Sequence, residues 1–213
     1  MADVPTKPVC AVVGIGPGLG AALARRFAHE GYAVLGLARD PAKLALEPGV
    51  ALRAADAADA GGLAAALREG ARAADDPVEV LLYNAYRAIM AEGGASSLDP
   101  GALVEDFRVN VAGALAAAWA VLPGMLAAGR GTILFTGGGL ALDPTGWLPA
   151  ASLAIGKAGL RSLAFTLHAE LAPRGVHAGT VTVAGMIRPG TAFDPPGAFR
   201  AEIVFHGGEG ALR

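Results

Sequence analysis

The stretch "KPVCAVVGIGPGLGAALARRFAHEG" (Lys7–Gly31) decides the reading of the fold. Its first part, "KPVCAVVG" (Lys7–Gly14), is a short β-branched apolar run ending at glycine, the pattern of a buried strand. Its last part repeats Leu19, Leu23 and Phe27 at helical spacing, and Gly31 supplies a stop. Between them "VGIGPGLG" (Val13–Gly20) sets glycines at a strand-to-helix turn. Glycines permit a tight turn and let backbone approach an anion closely. The helix N-terminus adds free N–H groups and a favourable dipole. Strand, glycine turn, helix and a following strand together point to dinucleotide binding by Gly14, Gly16, Gly18, Leu19 and Gly20. The competing reading is a merely tight turn.

Outward from this unit the same alternation continues. "YAVLGLA" (Tyr32–Ala38) reads as a second strand and "GVALRAA" as a weak third, followed by an Ala-rich helix from about Ala60 to Ala74. "VEVLLYNA" (Val78–Ala85) is a strong fourth strand. After a Gly/Ala/Ser loop, "EGGASSLDPG", helix is predicted over roughly Ala102–Ala128. "GTILFTGGG" is a fifth strand, Ala151–Pro173 a long helix and "GVHAGTVTVAG" a sixth strand. Apolar strands alternating with helices mean a parallel sheet covered on both faces. The predicted fold is α/β, a single Rossmann-type doubly wound domain over residues 1–213. Its tail, loop-rich from about 186, holds Pro189, Pro195 and Pro196. In such folds ligands bind at the carboxyl ends of the strands.

Bulk composition narrows the function classes. Hydrophobic residues make up 54% and charged residues 17% of the 213, which favours a well-buried core over disorder. A net charge of −2 gives no reason to expect nucleic acid or an anionic membrane as partner. The single cysteine, Cys10, cannot form an internal disulfide, so a cytoplasmic setting fits. In a buried strand it reads as core packing, with a reactive thiol the alternative. No signal peptide is visible. "VAGALAAAWAVLPGMLAAG" (Val111–Gly129) is near membrane-span length, but it is rich in Ala and Gly and interrupted by Pro123. A helix buried in a soluble core is the preferred reading.

The second strand ends in "ARD". An acidic residue at that end would accept the ribose hydroxyls of NAD. Arg39 stands there instead, where a guanidinium can pair with a 2′-phosphate, so NADP(H) is favoured over NAD(H). Asp40 keeps NAD open, and a solvated loop charge is the bland reading of Arg39.

The spacing Gly14, Gly18, Gly20 resembles the TGxxxGxG loop of short-chain dehydrogenases/reductases, with Val13 in place of the threonine. The resemblance extends from about Lys7 to Thr191. "ADAAD" is similar to the family's aspartate motif and implies that Asp56 bonds the adenine amino group. "YNAY" is similar to NNAG and gives Asn84 the structural, cofactor-facing role, with Tyr86 replacing the glycine. "VNVAG" is similar to NxxG, which matches Asn110 to the asparagine that supports a water relay to the lysine. "VTVAG" is similar to the strand-end VNPG near the nicotinamide, keeping Gly185 and replacing proline by Ala184.

The catalytic positions depart from that pattern. The family uses a serine to orient the substrate oxygen, a tyrosine to pass the proton, and a lysine four residues on to lower the tyrosine's pKa and hold the ribose. Here Gly138 stands roughly at the serine position and Leu153 at the tyrosine position. Only Lys157 remains. Positions i and i+4 share a helix face, so Leu153 and Lys157 lie side by side, and leucine has no proton to give. Ser152 is about 100° away around the helix and is predicted to point elsewhere, with a substitute hydroxyl the alternative. Tyr86 could donate a proton if Lys157 or Arg87 lowered its pKa, or it could be a pocket wall. Thr136, at the end of the fifth strand, could bond cofactor or substrate. Asp143 reads as a turn residue, with substrate contact the alternative, and Trp147 packs or lines a pocket. His168 and His177 have no ligand-spaced partner, so no metal site is supported; His206 carries no reading.

Three functions follow from these residues. The first is an NADP(H)-dependent oxidoreductase acting on a carbonyl or activated C=C of a small molecule, with the proton from Tyr86, water or the substrate. The second is a nucleotide-binding sensor or partner subunit without redox turnover. The third is a lyase or cyclase reusing the pocket. Homodimers or homotetramers are implied by the family resemblance, and "ALAAAWAVL" and "AGLRSLAFTLHAEL" are apolar enough for that, though the same apolarity would also serve an internal core.

Overall fold

A computed structural model of the chain describes residues 7–44, 49–74, 76–187 and 190. Six strands form one parallel sheet: β1 (Val9–Val13), β2 (Ala33–Ala38), β3 (Val50–Ala54), β4 (Val78–Tyr83), β5 (Gly131–Gly138) and β6 (Val176–Val183). Their spatial order is β3-β2-β1-β4-β5-β6. The order reverses between β1 and β4, where Val13 lies opposite Tyr83. That reversal opens a crevice at the carboxyl ends of the two strands.

The helices are α1 (Leu19–His29), α2 (Ala60–Ala73), α3 (Pro100–Phe107), α4 (Gly113–Ala128) and α5 (Ala151–Leu171). Strand residues alternate between the two faces of the sheet. Val9, Ala11 and Val13 join Leu63 and Leu67 of α2, Ala114 and Ala117 of α4 and Leu160 of α5 in the larger core. Cys10 and Val12 face the other way, onto Ala24 of α1. Cys10 is fully buried, and burial raises its thiol pKa, so it is packing rather than a reactive thiolate.

The long helical region runs as read from the sequence: α4 continues through Pro123 to Gly129, which closes the helix in the left-handed conformation. One departure lies within it. Between α3 and α4 the chain makes one π turn, Arg108–Ala112. The segment Pro100–Ala128 is long and apolar enough to cross a membrane by length and composition. Here Ala114, Ala117, Ala118 and Met125 pack it on the core. Strand β5 also runs two residues past Thr136, which puts Thr136 inside the strand rather than at its end. The prolines of the tail and His206 lie outside the described residues.

Candidate active site

The glycine loop spans the turn from β1 to α1. Gly14 has φ +79°, a conformation glycine adopts without steric cost. A Cβ there would collide with the backbone of Ala85. Gly20 is equally restricted, by Ile15 and the Gly14 carbonyl. Gly16 and Gly18 are different: a Cβ on either would meet nothing within 4 Å. The first pair lets the loop fold tightly, and the second leaves an open cradle. Gly18 caps α1 without a side-chain bond and Leu19 begins the helix; the Ala21 and Ala22 N–H groups bond back to the Gly16 and Gly18 carbonyls, which leaves those of Leu19 and Gly20 at the helix start. Asn84 donates from Nδ2 to the Gly14 carbonyl at 3.0 Å, tying the loop to the end of β4 across the crevice.

At the ends of β2 and β3 a cavity of about 370 Å³ is lined by Arg39, Ala54, Ala55, Asp56, Asp59 and Gly62. Asp56 shapes its floor by accepting from the Ala58 N–H at 2.9 Å. Asp40 turns away to pair with Lys43 at 2.8 Å. The open cradle, the free helix end and this cavity fit a dinucleotide laid along the carboxyl edge.

Lys157 projects from α5 toward the end of β5. Its Nζ donates to the Thr136 carbonyl at 2.6 Å. The residue is 7% exposed, and burial lowers its pKa from 10.5 to about 8. The Tyr86 ring centroid is 5.8 Å from Nζ, and Tyr86 itself is 66% exposed. The structure thus brings Tyr86 and Lys157 together. Arg87, the other cation considered beside Tyr86, pairs instead with Asp106 at 3.2 Å. Gly138 lies against the lysine arm: a Cβ there would sit 3.6 Å from Lys157 Cγ and 3.7 Å from Cε. Gly185 lies in an exposed bend just past β6.

Asn110 is buried in the π turn and clamps the loop that carries Tyr86. Its Oδ1 accepts from the Arg87 N–H at 2.9 Å, and its Nδ2 donates to the Arg87 carbonyl at 2.8 Å. Gly156 packs directly on the Asn110 side chain and leaves no room for a Cβ. One turn earlier stands Asp106, which the sequence reading missed. It is 0% exposed. Its Oδ2 accepts from the Ile89 N–H at 2.7 Å and from the Ser152 hydroxyl, while Oδ1 faces the Arg87 guanidinium. Ser152 therefore points into the core and is no stand-in for the absent tyrosine. The signal in the sequence is an acidic residue one turn before Asn110 with a serine beside the Leu153 position.

Tyr83 offers no proton either. Its hydroxyl donates to the Val109 carbonyl inside the core, and burial raises its pKa. Asp143 caps its own turn, accepting from the Thr145 N–H and hydroxyl at 3.1 and 2.7 Å. Those bonds hold its carboxyl below the ordinary range. The helix-to-strand reversal brings His168 and His177 edge to face, with centroids 4.9 Å apart. Among the described residues, no group of three or more His, Cys, Asp or Glu is placed to hold a metal ion.

Residues 8–193 match the family model for short chain dehydrogenases. An oxidoreductase of the short-chain dehydrogenase/reductase family from Burkholderia thailandensis is 32% identical, covering 87% of this chain and 71% of its own, with a TM-score of 0.75. A metagenomic short-chain oxidoreductase solved with NADP is 26% identical over 85% of each chain, with a TM-score of 0.77. A 3-ketoacyl-(acyl-carrier-protein) reductase from Brucella melitensis, complexed with NADH, shares the fold at 24% identity. It covers 83% of this chain and 75% of its own, with a TM-score of 0.76. None of the curated proteins compared matches. With the glycine cradle, the parallel sheet and the buried lysine in place over this span, the chain belongs to the short chain dehydrogenase family.

Proposed function

We propose that the protein is an NADP(H)-dependent oxidoreductase that moves hydride to or from a carbonyl or activated C=C, with atypical proton transfer. The observation that carries this reading is Lys157. A buried ammonium destabilises the fold unless it is paired, and among the described residues no carboxylate lies within ion-pair distance of it. Such a group is retained where a ligand needs it. Bound at this site, the cofactor would supply the hydride. The open faces of Gly16 and Gly18 and the start of α1 would hold its phosphates, Asp56 its adenine and Lys157 its ribose. Asn110 fixes the Tyr86 loop, and Tyr86 forms an aromatic wall.

The preference for NADP(H) rests on the ends of β2 and β3. Arg39 lines the cavity there, while the carboxylate of Asp40 is engaged by Lys43. The relatives solved with NADP and with NADH support a nicotinamide cofactor of either kind. Self-association through α4 and α5 is supported by Trp119 and Ile155, which stand exposed on them. Light scattering of wild type and Trp119→Glu tests it; an unchanged mass removes that face.

A second reading, a cofactor-binding sensor or partner subunit without turnover, draws on Leu153 and Gly138. Fluorescence titration with NADPH and NADH, then NADPH oxidation over a panel of ketones, quinones and enones, separates the two. Turnover supports the oxidoreductase. Tight NADPH binding without turnover supports the second reading, and absence of binding removes both.

A further inference from the structure

In this cleft the usual hydroxyl donors are missing, and the proton for an alkoxide must come from elsewhere. The space left at Gly138 gives its direction. A side chain there would touch the methylene arm of Lys157 at 3.6–3.8 Å. A carbonyl oxygen entering that space lies against the end of the lysine arm, beside the Cε that carries Nζ. An ammonium has three N–H donors. Thr136 takes one, and two remain for a ribose hydroxyl and a substrate oxygen.

The titratable group that faces the amine is Tyr86, 5.8 Å away on the β4 loop, and three charged side chains on the elements around Lys157 are engaged elsewhere. From the β4 loop, Arg87 is held by Asp106. From α3, Asp106 is held by Ser152 and Ile89. On α5, Arg161 lies 4.6 Å from the Phe165 ring. From β5 the neutral Thr136 carbonyl accepts from the amine, and the bare Gly138 faces its methylene arm.

We propose that the Lys157 ammonium is itself the proton donor, with no intervening phenol. As hydride adds to the carbonyl carbon, the π pair of the C=O bond moves onto oxygen. That oxygen takes a proton from Nζ, leaving an alcohol and a neutral amine. The amine keeps two N–H groups, one for Thr136, and solvent reprotonates it. Oxidation runs the same steps backwards. The proposal rests on the oxidoreductase reading. Burial adds a reason the step is efficient: an acid that titrates at about 8 is better matched to neutral pH than an ordinary lysine.

The chain has three lysines, Lys7, Lys43 and Lys157, so selectively labelled lysine side chains give a simple NMR spectrum. In the cofactor-free protein one of the three signals should titrate well below the others and disappear in Lys157→Arg. Arginine keeps the positive charge but cannot release a proton at working pH. Lys157→Arg should therefore bind NADPH within about tenfold of wild type while its kcat for ketone reduction falls about 10²–10⁴-fold. In Tyr86→Phe, whatever its absolute rate, reduction should still fall with rising pH at the wild-type midpoint. Three results overturn the proposal: a Lys157 signal titrating with the other lysines, full turnover in Lys157→Arg, or loss of the pH midpoint in Tyr86→Phe. If Lys157→Arg does not fold, the NMR titration and the Tyr86→Phe profile decide. Wild type that binds NADPH but reduces nothing ends the oxidoreductase reading and this proposal with it. Wild-type turnover that survives in Lys157→Arg ends the proposal alone.

Discussion

Replacing Lys157 by methionine should make the cofactor-free protein more stable, even though it removes the central residue of the site. Burial lowers the amine from 10.5 to about 8. At about 1.4 kcal/mol per pKa unit, holding the ammonium charged at neutral pH costs the folded state about 3 kcal/mol. Methionine keeps an unbranched arm without the charge. It also strips the Thr136 carbonyl of its donor, a loss of about 1 kcal/mol. The net gain near pH 7 is therefore about 2 kcal/mol, or roughly 4–8 °C in Tm for a domain of this size. Between about pH 8 and 10.5 the unfolded chain keeps the proton and the folded chain releases it. The unfolded state then binds more protons, so wild type gains stability as pH rises through that window. The variant has no such group, and the gap between the two should close. Urea unfolding of both proteins without cofactor, at about pH 7 and about pH 10, reads this directly. A variant no more stable than wild type near pH 7, or a gap that ignores pH, would refute the reasoning.

Gly14→Ala forces a Cβ into the Ala85 backbone at positive φ and should cost roughly 2–4 kcal/mol by thermal unfolding, with loss of NADPH binding. Asp106→Ala leaves Ser152, Ile89 and Arg87 without their shared acceptor and should cost about 3–5 kcal/mol in urea unfolding. Asp106→Asn should recover part of that, since an amide oxygen still accepts from the Ile89 N–H. Arg39→Ala should weaken NADPH binding about 10–100-fold, the worth of a charged hydrogen bond to a phosphate, and leave NADH binding unchanged in the same fluorescence titration.

Local patterns carried most of the fold. Val9–Val13 is apolar on both faces, and Val78–Tyr83 is so but for Glu79, because both faces are covered; a short apolar run bounded by turn residues signals that. Helix over Ala102–Ala128 was legible despite Pro123, and α4 continues through it. The glycine loop and Lys157 were legible because each chemistry needs one residue type at one spacing. The Asp106–Ser152 contact was not. Its partners are 46 residues apart, and an aspartate in a helix reads as a solvent-facing charge until its neighbours are known. The approach of His168 to His177 was hidden likewise: it depends on α5 reversing into β6 through Gly175, at φ +80°.

The clamp on the Tyr86 loop has a consequence for how the site moves. The amide protons of Arg87 and Ile89 are bound to Asn110 and Asp106, side chains rooted in the buried seam between the π turn, α3 and α5. Hydrogen exchange at those two amides therefore requires the seam to separate, not the loop to flicker. The cleft's most exposed aromatic residue thus rides on backbone with the kinetic protection of the core.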